Sequence, residues 1–244
     1  MSHRTYKNPP IIEALCEFTF TPTGEWNPTL PEQLHQLIRQ DYDGEIRQAK
    51  VQIVTTDPEN NSVTVQNDIR FQLPTKDATR LVSVGRNTLS INVLKPYEGW
   101  TLFRPRIERA LRSYYKVAGQ RTATRVGVRY INKIVVEYPG ANSADYFGFN
   151  LSEESALGAK LTNFMKRSEY VAEDQTKILI THATIEPSAS GTTEFILDID
   201  TVVDGRALEQ IEDILASVET LHTTEGRAFE SFLTKKARDV FDGE

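Results

Sequence analysis

The sequence predicts an α+β protein made of two successive β-α-β(3–4)-α units, with curved antiparallel sheet packed on long helices. Three observations carry this. Several stretches alternate apolar and polar residues with period two, two long stretches repeat apolar residues at steps of three and four, and the order of these elements recurs in the second half. The expected units are residues 1–120, β-α-β4-α, and 121–244, β-α-β3-α with a long C-terminal helix.

In the first unit, Ile12, Ala14, Cys16, Phe18 and Phe20 alternate with Glu13, Glu17 and Thr19, which predicts a half-buried strand over 11–20. Thr29-Leu30-Pro31-Glu32 has the capping-box pattern, with a proline where the missing N–H costs nothing. Leu30, Leu34, Leu37 and Ile38 continue it as a short helix to about Tyr42. Strands then follow around Ala49–Ile53 and Val63–Leu73, separated by the turn-forming Pro58-Glu59-Asn60-Asn61. Leu81–Val84 and Leu89–Val93 bracket a Gly85-Arg86-Asn87 hairpin. Gly99–Val117 is a helix with Phe103, Ile107, Ala110, Leu111 and Tyr114 inward; Pro105 is tolerated in its first turn.

The second unit opens with a long strand, Val126–Tyr138. A loop-rich stretch follows, with a short helix expected over Leu157–Met165, then strands at Ser168–Ala172, Lys177–Ile185 and Thr193–Val203. A helical segment from Arg206 to Phe241 closes the chain, with a bend expected near Thr223–Gly226, where helix formers are weak. The order of elements is similar to a tandem TATA-binding-protein-like or helix-grip arrangement. That likeness is topological and assigns no activity.

Charged residues make up 25% of the chain and hydrophobic residues 39%, which fits a folded domain and argues against wholesale disorder. The formal net charge of -6 disfavours a duplex nucleic-acid partner, which calls for clustered cations, without excluding a local basic patch. One cysteine, Cys16, rules out an intramolecular disulfide and a thiolate-rich zinc site. The polar, basic start and the lack of any apolar run near 20 residues place the expected location in the cytoplasm, away from membranes. No Gly-rich phosphate loop, Gly-x-Ser-x-Gly elbow or His-Glu-x-x-His pair occurs, so neither a catalytic residue nor a metal or other cofactor is expected.

Four segments, Tyr6–Ala14, Gly127–Asn132, Leu197–Asp200 and the run from Leu221-His222 through Phe229 to Thr234, together resemble an uncharacterised, sporadically distributed bacterial family. The N-terminal Tyr-x-Asn-Pro-Pro-Ile-x-Glu-Ala and the Gly-x-Arg-Tyr-Ile-Asn motifs are its more specific parts. The resemblance implies no activity and carries no catalytic residues. Its patchy distribution implies a setting among mobile or defence-associated genes.

Four constellations could carry function. Asn132 shares an apolar strand face with Val126, Val128, Tyr130, Ile134 and Val136, and a buried amide without partners costs about 1–3 kcal/mol. It either ties to backbone or orients a ligand. Asp198 and Asp200 share a strand face with Glu194, which suits a metal or acid–base pair but suits a water-facing edge better. His222 and Glu225 interrupt the apolar row of the last helix, at a bend, in an internal pair or in a ligand site. His182 is expected on the polar side of its strand and Cys16 as a buried filler. Arg104, Arg106, Arg109, Arg112 and Lys116 form a basic stripe on the middle helix, either paired with acidic neighbours or facing an anionic partner.

The leading expectation is therefore a non-enzymatic binding or regulatory protein that recognises a macromolecular partner, most readily a protein, through Arg106, Arg109, Arg112, Lys116 and Arg129. The alternative is a small-ligand sensor or enzyme, for a nucleotide or metabolite, with a pocket between sheet and C-terminal helix lined by Tyr130, Asn132, His222 and Glu225. Nucleic-acid binding ranks third and would need exposed aromatics such as Tyr114 and Tyr115 beside the arginines. A homodimer is left open.

Overall fold

The computed structural model describes residues 4, 6–22, 24–57, 62–148 and 161–243, the side chains of 52–57 and 62–67 excepted. Among the described residues, nine strands form one antiparallel sheet, and four α-helices accompany it. The strands are β1 (Ile11–Phe20), β2 (Arg47–Asp57), β3 (Ser62–Pro74), β4 (Arg80–Val84), β5 (Thr88–Leu94), β6 (Ala123–Val136), β7 (Met165–Val171), β8 (Lys177–Ile185) and β9 (Thr193–Leu208). The helices are α1 (Leu30–Ile38), α2 (Trp100–Ala118), α3 (Ile211–Phe232) and α4 (Lys235–Asp242).

The spatial order is β2-β3-β4-β5-β1-β6-β9-β8-β7, so the sheet runs unbroken through the β1–β6 pair that joins the two halves of the chain. In each half the opening strand pairs with the half's last strand, β1 with β5 and β6 with β9. The register sets Ala14 opposite Tyr130 and Cys16 opposite Val128, which places the apolar rows of the two central strands on one face.

The helices cover that face. Ala14, Cys16, Phe18, Phe20, Val126, Val128 and Tyr130 share one core with the inward sides of α1, α2 and the first half of α3. A second core forms where Ile134, Val136, Phe195, Leu197 and Ile199 meet Ala237 and Phe241 of α4. The opposite face of the central strands carries charge. There Arg129 makes a two-pronged contact with Asp198 (2.6 and 2.7 Å), Arg70 reaches Glu17 (2.6 Å), and Arg125 bridges Glu17 (3.4 Å) and Asp200 (3.3 Å). Gly127 makes the last of these fit: a Cβ there would stand 3.1 Å from Arg125 Nη1.

Several local expectations are corrected. Thr29 does not cap α1 through its side chain; its own N–H and hydroxyl both donate to Asn27 Oδ1 (3.0 and 2.8 Å). The helix ends at Ile38, and a turn carries the chain to Tyr42. β9 continues to Leu208, so the residues from Arg206 are strand before they are helix. α3 runs unbroken through Thr223–Gly226, where the bend was expected, and Gly226 is buried against the rest of the fold. The break falls at Leu233, which is extended and bridges to Phe147. Thr234 then caps α4, accepting from the Ala237 N–H (3.3 Å) and donating to Asp145 O (2.7 Å). The Pro58–Asn61 turn lies outside the described residues, as does the expected helix over 157–165 up to residue 160; Met165 opens β7.

Candidate functional site

A cavity of about 550 Å³ opens between the sheet and α3, at the end of the β1–β6 pair. That size suits a small organic molecule. Its floor comes from β6, where Tyr130 and Asn132, two residues apart, share the inner face. One wall is α3, which presents His222, Glu225 and Phe229 at steps of three and four. The opposite wall is the β5–α2 connection, with Tyr97, Glu98 and Trp100, and the mouth is edged by Pro9, Pro10 and Ile11 leading into β1. Deeper in the sheet, the Thr201 hydroxyl lies 3.0 Å from Val128 O and 3.1 Å from Leu221 O, which holds α3 against β6 one turn before Glu225.

The four pocket residues expected from sequence, Tyr130, Asn132, His222 and Glu225, all line this cavity. The Tyr130 hydroxyl sits between the Tyr97 hydroxyl (3.0 Å) and His222 Nδ1 (3.2 Å). Trp100 stacks on the His222 ring with centroids 3.8 Å apart, while Tyr97 meets Tyr130 edge-on at 5.6 Å. The Asn132 amide donates to Leu197 O at 3.1 Å, so the backbone tie and the cavity lining are both true of it. Glu225 is 5% exposed and makes no hydrogen bond or ion pair with any described residue. Burial alone pushes its carboxyl up to about 8, and burial raises Tyr130 and Tyr97 well above the usual phenol range.

Sequence reasoning missed Tyr97, Trp100, Tyr6 and the Pro9-Pro10 edge. The available signal was the pair of aromatics around Gly99 at the start of a helix and the Asn8-Pro9-Pro10 run. Three of the four segments that carry the family resemblance meet here: residues of 6–14, Tyr130 with Asn132, and His222 through Glu230. The fourth supplies the carbonyl of Leu197 that holds Asn132.

The arginines of α2 do not gather around the cavity as free charges. Arg104 meets Glu108 and Glu219, Arg106 meets Glu98, Arg109 meets Asp41, and Arg112 meets Glu108 and Glu212. Lys116 is exposed in the last turn, and Arg129 lies on the other face of the sheet with Asp198. Tyr114 is buried against Phe20 and Tyr115 is half-buried, so neither offers the open stacking surface a single-stranded nucleic acid would need.

The acidic pair Asp198 and Asp200 is occupied by Arg129 and Arg125, and burial pushes Asp200 up to about 6. Among the described residues no three His, Cys, Asp or Glu side chains are placed to hold a metal ion. His182 is a correction. Ile178 and Ile180 set its face, and it lies fully buried among Phe147, Phe164 and Phe195 with Ser143 Oγ at 3.3 Å. Burial lowers its imidazole to about 4. Cys16 is sealed in the core, its thiol pushed up by burial. No described helix is long and apolar enough to cross a membrane. Comparison of the chain with protein-family models, with curated proteins and with solved structures gives no match.

Proposed function

We propose that this protein binds a small molecule in the cavity between β6 and α3 and acts as a ligand-responsive binding protein. The observation that carries the reading is Glu225, a buried carboxyl with no hydrogen-bond or ion-pair partner among the described residues, on the wall of an aromatic-lined cavity. A carboxyl that deep is held short of full hydration, and a ligand that pairs with it offsets part of that cost. The leading expectation from the sequence, a macromolecular partner docked on the basic stripe, draws less support. Arg106, Arg109 and Arg112 are each already paired with a carboxylate of this chain, which lowers what an anionic partner gains.

The mirrored pairing of first with last strand in each half supports reading the two halves as tandem TBP-like or helix-grip units. On that reading the cavity lies beside the strand pair that joins them.

A thermal-shift screen of metabolites and nucleotides on the wild type and on Thr101→Trp tests the proposal. Thr101 is an exposed rim residue, so the variant narrows the cavity while leaving the core intact. The expected result is at least one compound that raises the melting temperature of the wild type and not of the variant. Stabilisation of both proteins alike, or of neither, overturns the assignment of binding to this cavity.

A further inference from the structure

The chemistry lining the cavity narrows the ligand class, on the premise that the cavity binds a ligand at all. We infer that the occupant is a small organic cation, an ammonium or quaternary ammonium group on an apolar body, seated against the Glu225 carboxyl between the rings of Tyr97, Trp100 and Tyr130.

The polar inventory is biased toward acceptors. The Asn132 amide spends one of its two N–H groups on Leu197 O, which leaves its oxygen and one N–H for a ligand. The Tyr130 hydroxyl is engaged between Tyr97 and His222. Glu225 offers two acceptor oxygens once ionised, and further carboxylates, Glu98 and Glu230, stand at the lining. Among the described residues, the arginine at the cavity, Arg4, is paired with Asp242. Glu98 in turn meets Arg80 and Arg106, and Glu230 meets Tyr6 and Arg238, so Glu225 is the acid left for a ligand. An anionic ligand would face these carboxylates with no uncommitted cation to receive it.

The walls fit the same class. Tyr97 and Tyr130 lie nearly perpendicular, at 87°, and Trp100 stands beside them on the His222 ring. Rings turned to one another around a single space present both faces and edges to it, and ring faces attract cations. A quaternary or primary ammonium also matches the balance of charge. Empty, the buried carboxyl is held in its neutral form. A cation entering a dry site favours the carboxylate, so binding near neutral pH drives one proton from Glu225 into solvent.

Titration calorimetry with choline and benzylammonium, set against their neutral counterparts dimethylbutanol and benzyl alcohol, tests this at pH 7. Repeating each cation in two buffers of different ionisation enthalpy counts the protons released. The expected result is cation binding at least about tenfold tighter than the neutral counterpart, with release approaching one proton per site. Glu225→Gln should weaken cation binding about tenfold or more and abolish the proton release. Trp100→Ala should weaken binding with the release unchanged, and far-UV circular dichroism checks that both variants fold. Neutral compounds binding as tightly as the cations, or cations binding without proton release, overturn the cation while leaving a ligand cavity in place. A cavity that takes only anions or neutral compounds from the metabolite screen does the same. If none of the four probes binds and no metabolite distinguishes the wild type from Thr101→Trp, the cation and the ligand reading fail together.

Discussion

Consecutive residues of β6 face two different electrostatic surroundings. Arg129 points to the open face of the sheet, where Asp198 grips it from the neighbouring strand, and Arg125 likewise has Glu17 and Asp200. Tyr130 points to the helical face, where Glu225 sits deeper than any of those acids and makes no ion pair with any described residue. The open face closes its own charge balance: Arg125 and Arg129 of β6 meet acids on the adjacent strands β1 and β9, and Arg70 of β3 reaches Glu17 of β1. The cavity does not close its own. A chain able to pair acids with arginines so thoroughly on one face leaves one buried acid unpaired on the other, and that marks the cavity as the place where something from outside completes the set.

The two histidine environments, His182 fully buried and His222 half-buried, extend the contrast and give the largest expected effect. His182→Ala empties a fully buried ring position among three phenylalanines and should destabilise the fold by about 3 kcal/mol in denaturant unfolding. His222→Ala removes a cavity wall and its stack on Trp100, and should cost only about 1 kcal/mol. Equal losses would mean that the cavity wall is ordinary core.

Next comes the paired face. Arg129→Ala leaves Asp198 without its two-pronged partner in a part-buried setting, and a loss of about 2 kcal/mol is expected. Glu225→Gln should lose no stability at neutral pH, since the wild-type group has no partner to forfeit. A large loss on Glu225→Gln would show that the carboxyl is held by the fold after all.

The same contrast has a pH signature. Glu225 has its folded value raised to about 8 from an ordinary 4.5, so in that interval the unfolded chain releases a proton that the folded chain keeps. Stability of the empty protein therefore falls as pH rises toward 8, by at most about 1.4 kcal/mol per unit, and levels off above it. Asp200, raised to about 6, acts in the same direction below pH 6, and His182, lowered to about 4, acts oppositely between pH 4 and 6.5. Between pH 6.5 and 8 Glu225 dominates. Wild type should lose melting temperature across that window and Glu225→Gln should lose much less; parallel curves would remove the buried acid from the account.

The smallest effect is expected on α2. Arg112→Ala removes contacts to Glu108 and Glu212 at a solvent-facing position and should leave the denaturant midpoint essentially unchanged.

Much of this arrangement is readable from the chain because period-two patterning fixes faces. The row from Val126 to Val136 put Tyr130 and Asn132 on the buried side and Arg125 and Arg129 on the other, as the structure has them. His222 and Glu225 stood out as polar breaks in a helical stripe, and the cavity accounts for the break. Local polarity misled where tertiary packing outweighs it. His182 looked solvent-facing by its chemistry, yet Ile178 and Ile180 on the same face take it inward. Weak helix formers at Thr223–Gly226 suggested a bend, but α3 continues through them with Gly226 buried, and the helix breaks at Leu233 before Thr234 caps α4. Tyr97 was silent because it belongs to a connection, where no periodicity reveals which way a ring turns, and Trp100 because it opens α2 ahead of the apolar stripe that marks the helix's buried side.

The most direct measurement is the titration of the Glu225 carboxyl itself, followed by carbon NMR with carboxyl-labelled glutamate and assigned by its disappearance in Glu225→Gln. A midpoint near 8 in the empty protein, moving down by a unit or more when choline is added, is the result expected of an unpartnered buried acid waiting for a cation. A midpoint in the ordinary carboxylate range, unmoved by choline, would mean that water or the protein already satisfies Glu225, and the cavity would lose the group on which its function has been argued.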